Sequence, residues 1–316
     1  MHLTVLLTLL ILILDYGRVS FFRFAAPLVS LLHQNCLNWL PQQSQSLPEL
    51  GALVCGANFS QIETSELYVA TGLIHLFVVS GAHLILLHQV IDFPLRFFEK
   101  EFCWKDFVRP SICFILLLVY AGICELNPPV TRSLLGLVLA NPFFFGKNFW
   151  PTHFKVFIAG LLTLLINPLW VTSISLQLSW LIGLAMSLNA EFFRDKHVLI
   201  RQSLNYILIF PVLLLFQFPN PYSILMNVIF APVLEFILFP LALLTGFFPI
   251  FVALFDFAIA ALKKILLCTE IGLTPQVIEN SDRLVMGVWL LIFLIHLFLH
   301  FYQIKQERQK SCSVYA

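Results

Sequence analysis

The sequence predicts an all-α polytopic integral membrane protein, with about 8–10 transmembrane or re-entrant helices, several broken at proline or glycine. Three observations carry this expectation. Of 316 residues, 59% are hydrophobic and 11% charged, whereas soluble domains run to about 25% charged. Apolar runs of membrane-spanning length recur from one end of the chain to the other. Prolines mark several of their boundaries, at Pro128, Pro129, Pro168, Pro219 and Pro221. A residue without an N–H ends or kinks a helix.

Taken in order, the apolar segments lie at 3–14, 67–90, 110–126, 129–146, 154–170, 172–189, 198–218, 222–246, 247–264 and 284–302. The first, Leu3 to Leu14, lacks a basic flank and a small-residue cleavage site, so it reads as a short span rather than a cleaved signal. It needs local bilayer thinning or an interfacial position, because a full crossing takes about 20 residues. Residues 19–32, with Arg18 and Arg23, form an amphipathic stretch suited to the surface. Pro232, Pro240 and Pro249 fall within 222–264, so that region is expected to be broken rather than two clean spans.

Orientation follows from Lys and Arg in short loops. The 15–66 loop carries only Arg18 and Arg23, while 91–109 carries Arg96, Lys100, Lys105 and Arg109. Further cations sit at Lys147 and Lys155, at Arg194, Lys196 and Arg201, and at Lys305, Arg308 and Lys310. Alternating from a cytoplasmic N-terminus puts these clusters inside and the 15–66 loop outside. Lys263 and Lys264 then fall outside, or the 247–264 segment does not cross. The organisation is a short N-terminal span, amphipathic stretch and extracytoplasmic loop over 1–66, a transmembrane domain over 67–302, and a basic cytoplasmic tail over 303–316.

The net charge of +1 gives no global basic field, so a polyanion would have to meet local charges or backbone dipoles. The cysteines at 36, 55, 103, 113, 124, 268 and 312 contain no CxxC. Cys113, Cys124 and Cys268 read as small apolar residues of helices. Cys36 and Cys55 share the 15–66 loop and can pair if it is extracytoplasmic, although connectivity is not readable from sequence.

The string Thr71 to His83 sets Gly72, His75, Ser80, Gly81 and His83 inside a membrane-grade apolar run. Polar groups in a bilayer are costly and usually face a bundle interior or an aqueous path. As one regular helix, the stretch puts Gly72, His75, Ser80 and His83 on one side. They either bond neighbouring helices or line a translocation path. Ser80 and His83 lack an orienting acid nearby, so no hydrolase is assembled. Arg132 follows Pro128-Pro-Val-Thr and either snorkels to the interface or contacts a phosphate or carboxylate. In Asn167 to Ser179, the polar Ser175, Gln177 and Ser179 either satisfy backbone opened by the proline or line a path. Glu235 and Asp256 read as structural or gating acids, since an unpaired carboxylate hinders a polyanion. His296 and His300, at i, i+4, could share a metal, but no third ligand is evident and packing is the simpler reading. There is no Walker A loop, HxHxDH-like motif or dinucleotide loop. No enzyme, metal or cofactor is expected.

In order, Gly72-x-x-His75-x-x-x-x-Ser80-Gly81-x-His83, Pro128-Pro-Val-Thr-Arg132, Asn167-Pro168 with Leu176-Gln-Leu-Ser-Trp180, and Asn227 with Pro232 resemble the signature motifs of the ComEC/Rec2 family, the membrane channel of bacterial DNA uptake. The resemblance covers about residues 30–250. The chain departs from it at Ala82, where the family has leucine, and at Asn167, where it has an acid. The OB-like and metallo-β-lactamase-like domains of full-length members have no counterpart here, so a channel domain without the nuclease is expected. The resemblance implies a multi-pass protein of the bacterial inner membrane that takes up single-stranded DNA during competence. It places Gly72, His75, Ser80, Gly81, His83, Arg132, Gln177, Ser179, Asn227 and Pro232 along the DNA path. It implies a periplasmic DNA receptor and a cytoplasmic motor ATPase as partners, and a homo-oligomer is compatible with it. The 33 Phe, 7 Tyr and 6 Trp could offer stacking surfaces to bases. Two other classes fit the same composition: a small-molecule permease with a midplane site, and a structural membrane subunit that transports nothing.

Overall fold

Every regular element among the described residues of the computed structural model is helical. The structure describes residues 8–11, 13, 22–58, 67–68, 71, 73, 77, 79, 81–98, 105–141, 150–213, 222–269 and 282–314. The longer helices are α1 (Phe22–Trp39), α2 (Leu47–Cys55), α3 (Gly81–Phe98), α4 (Lys105–Ile123), α5 (Pro128–Ala140), α6 (Thr152–Ile166), α7 (Ile174–Phe192), α8 (Val198–Leu213), α9 (Tyr222–Val233), α10 (Phe239–Phe247), α11 (Val252–Thr269) and α12 (Asp282–Val314). Of the first segment, residues 8–11 and 13 are helical and the rest lies outside the described residues.

Among the described residues two helical stretches are long and apolar enough to cross a membrane, Ile224–Phe247 and Met286–Lys305. Shorter apolar helices run over Val108–Ile123, Pro128–Ala140, Thr152–Ile166 and Val198–Val212. Large apolar side chains point outward along many of them, among them Phe236, Phe257, Met286 and Phe301. Exposed apolar patches on this scale suit a hydrocarbon surround.

Among the described residues three apolar cores hold the helices together. The largest side chains of one come from α6, α7 and α12, with Phe157, Trp180, Leu184, Val288 and Ile292 buried. Gly160 on α6 makes this seam: a methyl there would lie 2.1 Å from Trp180 Cε2, so only glycine lets the indole seat. A second core joins α2 to α9, α10 and α11 through Leu50, Leu53, Met226, Ala242, Phe255 and Ile259. A third joins α3, α4, α5 and α10 through Leu84, Leu117, Val130 and Phe239.

Proline sets local shape, but not always where expected. Pro232 sits inside α9 without ending it. The helix instead widens over Leu234–Leu238, where the Phe239 N–H reaches Leu234 O, five residues back. Pro240 follows directly and has no N–H to give, and such wide turns accommodate a lost donor. The true break comes at Pro249–Phe251, a tight 3-10 turn. The amphipathic stretch is also longer than its pattern suggested, because α1 runs to Trp39.

The expectation of one regular helix over 72–83 does not hold. Thr71, Leu73 and Val79 are not helical, and α3 begins only at Gly81. The turn at 67–71 closes on itself: Thr71 donates its N–H and hydroxyl to Leu67 O, and Leu73 N–H reaches Tyr68 O. That five-residue closure is the way helical turns end.

Candidate functional site

Arg132 lies on the second turn of α5. The chain enters α5 through Glu125 and Leu126, consecutive residues at φ of 56° and 47°. Left-handed backbone costs a non-glycine residue about 1–2 kcal/mol, so this reversal needs support. Leu126 N–H bonds Ala121 O, and the Thr131 hydroxyl donates to Leu126 O at 2.7 Å. Pro128 and Pro129 occupy the first turn, where a missing N–H costs nothing. The arginine is therefore delivered at a fixed height just past a strained turn.

The guanidinium points into the seam between α3, α5 and α7. Its Nε–H donates to Ser179 Oγ on α7 at 3.0 Å. A methyl at Gly81 would lie 4.0 Å from Nη2, and one at Gly183 would lie 3.3 Å from Nη1. Gly81 also meets α5 at Ser133, whose hydroxyl donates to Pro129 O at 2.8 Å. Thus Gly81, Arg132 and Ser179, from three separate motifs, converge on one cation. Arg132 is half-buried. Among the described residues no carboxylate pairs with it; the ion pairs are Asp92 with Arg96 and Arg109, and Glu49 with Lys263. A charge kept inside apolar surroundings with only a hydroxyl for company is costly, which marks such groups as functional candidates.

The other motif residues divide around this point. His83 is buried on α3 with its ring 4.4 Å from that of Phe239 on α10. Gln177 is fully buried and faces away from Arg132: its Nε2–H donates to Val171 O at 3.1 Å, where Trp289 Nε1–H from α12 also donates at 2.9 Å. Gln177 thus satisfies the backbone of the turn after Pro168, while its Oε1 is buried with no partner among the described residues. Ser173 caps α7 through Leu176 N–H, and Ser175 bonds Ser173. The polar string therefore splits: Ser173, Ser175 and Gln177 serve the backbone turn, and Ser179 alone turns to the arginine. Asn227 is half-buried and Pro232 exposed on α9. Gly72, His75 and Ser80 lie outside the described residues.

A second polar region surrounds the first two helices. Cys36 and Cys55 form a disulfide, with Cα atoms 5.9 Å apart. His33 Nδ1 sits 3.0 Å from Cys55 O and 2.9 Å from Ile123 O, so it carries the proton and ties α1 and α2 to the end of α4. Gly56, at φ 70°, ends α2 in the left-handed conformation against Cys124. Lys263 Nζ lies 2.6 Å from Glu49 Oε1. Asp256 accepts from the Ser44 hydroxyl and from the N–H groups of Gln45 and Ser46. Burial alone would raise the Asp256 pKa, but these donors outweigh it and hold the carboxyl below its usual range. Asp256 is thus structural, and α11 lies along the 44–49 segment. Glu235 falls in the widened turn of α9–α10.

Asp92, beyond the expected end of its apolar segment, clamps α3 to α4 by accepting from Arg96 and Arg109. Burial opposes ionisation there too, and the two arginines overcome it, so its pKa is lowered. Sequence reasoning found no third partner for His296 and His300. The structure brings His153 of α6 to within 5.9 and 6.5 Å of them, ring to ring. His296 stacks on Phe157 at 3.8 Å. Among the described residues no three ligands are arranged for a metal, and packing accounts for the trio. Gly183 was missed entirely, because a glycine inside an apolar helix carries no chemical signal of its own.

The family model described as Competence protein matches residues 53–307. The chain belongs to this family. It is the family of the ComEC/Rec2 membrane channel domain, a membrane protein family with a role in DNA uptake in competence. The match covers every helix that meets Arg132. No curated protein and no solved structure matches the chain.

Proposed function

We propose that this chain is a multi-pass channel of the bacterial inner membrane that passes single-stranded DNA from the periplasm to the cytoplasm during natural transformation. The observation that carries this is the convergence of Gly81, Ser179 and Arg132, three motifs about 50 residues apart along the chain, on a cation that no carboxylate pairs among the described residues. A phosphate strand cannot cross hydrocarbon and needs a wet path with donors. A guanidinium whose charge no side chain neutralises is suited to a phosphate in transit.

The disulfide favours an extracytoplasmic position for residues 36–55, since such bonds persist in oxidising compartments. Lys263, bonded to Glu49, then belongs on that same side. The pulling force comes from a cytoplasmic motor ATPase, and a periplasmic receptor hands the strand over; both rest on the motif resemblance alone. No chemistry is assigned to the chain.

The test is uptake of labelled DNA in cells from which the chain is deleted, complemented with wild type or with Arg132→Gln. The expected result is DNA held in the periplasm in the deletion, released to the cytoplasm by wild type, and still held with the variant although the protein inserts. Equal entry in all strains, with a defect in uptake of some solute, would replace the DNA channel by a small-molecule permease. The widened turn at 234–238 is the feature that favours that second reading.

A further inference from the structure

Arg132 lies close behind the turn that packs Cys124 on Gly56, beside the Cys36–Cys55 bridge. Ser179 meets that arginine near the start of α7, and the 19 residues of α7 carry the chain about 28 Å. That is about the depth of a bilayer core, so the corner between α7 and α8 lies on the membrane face opposite the bridge. The corner has a fixed shape. Lys196 N–H bonds Phe193 O, Leu199 N–H bonds His197 Nδ1, and the Asn189 amide of α7 donates to Arg201 O and Asn205 Oδ1 of α8. Phe192 packs on Tyr302 of α12, with ring centres 4.4 Å apart.

Two kinds of surface meet there. Val198, Leu199 and Ile200 open α8 and are 45%, 43% and 50% exposed. At about 100° per residue they point in three directions, so an apolar surround reaches around the first turn of the helix. Arg194 and Lys196 are exposed just before them, half-buried Arg201 follows on the same turn, and Lys305 is exposed one turn beyond Tyr302. Among the described residues none of these cations forms an ion pair, and Arg201 Nε is buried with no partner. They outnumber the acids of the corner, Glu191 and Asp195. Unpaired cations at the rim of an apolar surface suit a phosphodiester head group that carries acyl chains.

We propose that the α7–α8 corner binds an anionic phospholipid of the cytoplasmic leaflet, with Arg194, Lys196 and Arg201 on its phosphodiester and Val198, Leu199 and Ile200 against its acyl chains. This rests on the multi-pass membrane reading and is independent of the passage of DNA. A nucleic-acid strand would match the cations but not the three aliphatic side chains.

The test is native mass spectrometry of the full chain, transferred to mild detergent from bilayers of mixed phosphatidylglycerol and phosphatidylcholine. Wild type retains phosphatidylglycerol in preference to phosphatidylcholine. Arg194→Gln, Lys196→Gln and Arg201→Gln each lower that preference about fivefold, with thermal midpoints in phosphatidylcholine alone near that of wild type. Arg96→Gln, which removes a cation from the same membrane face outside the corner, leaves the preference unchanged. An equal loss with Arg96→Gln would overturn the proposal, because a general positive field would then explain the retention. Equal retention of both lipids by wild type would also overturn it. So would displacement of the lipid by glycerol 3-phosphate or by oligothymidylate, which would make the corner a free-phosphate or a strand-binding surface. A wild-type chain that stays soluble without lipid or detergent would overturn the membrane reading as well.

Discussion

The region around residues 36–56 and the seam around Arg132 treat charge in opposite ways. In the first, each charged group is answered within the protein. Glu49 has Lys263, Asp256 has a hydroxyl and two backbone N–H groups, and Cys36 is bonded to Cys55. In the second, Arg132 has one serine hydroxyl and two glycines that stand back from it. Closed polar networks make a fixed shape. An open one holds binding capacity in reserve for something that comes and goes. On the proposed channel reading the contrast assigns stability to one region and transport to the other, and each variant below is expected to move one property and spare the other.

The largest effect on stability is expected from Cys36→Ser. The bridge closes a loop with a sequence separation of 19, and the chain-entropy relation gives about 3 kcal/mol for such a loop. The thermal midpoint of the detergent-solubilised protein falls accordingly, and a reducing agent lowers wild type to the same value without further change in the variant. Next comes Lys263→Ala. It takes the ammonium group away from Glu49, whose side chain is 1% exposed, while Lys263 itself is 26% exposed. Breaking a fully buried pair costs about 3–5 kcal/mol, and the partial exposure of the lysine brings the expectation nearer to about 2 kcal/mol. Double mutation with Glu49→Gln recovers most of that loss, because no buried charge then remains.

Smaller still is the effect of pH through Asp256. Its folded pKa lies below the ordinary value of 3.8. Its contribution is therefore fully present above that value and is lost as pH falls through the folded pKa. Asp256→Asn flattens the acid limb of a midpoint-against-pH curve below about pH 4 and leaves the neutral region shifted by a constant amount. An unchanged acid limb would remove Asp256 from the network. The smallest stability effect belongs to Arg132→Gln. One hydrogen bond is lost, but so is a charge that no carboxylate pairs among the described residues, and the balance lies within about 1 kcal/mol of wild type.

Much of this contrast was legible in the residues, unevenly. The all-α architecture and most helix limits follow from apolar runs and prolines: Pro128 and Pro129 open α5, and Pro168 separates α6 from α7. Gly81, Arg132 and Ser179 were visible as members of ordered motifs, but their meeting was not, since spacing along the chain says nothing about which helices touch. The regular helix over 72–83 failed because periodicity was carried across Gly81, where α3 in fact begins. Cys36 and Cys55 could be paired only by a fold that brings them together. Lys263, an anomaly when cations were counted by loop, makes sense once Glu49 is beside it. Gly183 and Gly160 escaped notice for a shared reason: what they do is leave space, and space has no sequence signature.

The most direct measurement of the central claim is the salt dependence of oligothymidylate binding by the full chain in nanodiscs, wild type against Arg132→Gln. Each phosphate neutralised on a single strand contributes about 0.7 to the slope of log affinity against log salt. If Arg132 takes its counter-charge from a passing phosphate, the slope of the variant is shallower by about 0.7 while its thermal midpoint stays near that of wild type. An unchanged slope would contradict the account and would place the phosphate contacts elsewhere in the protein.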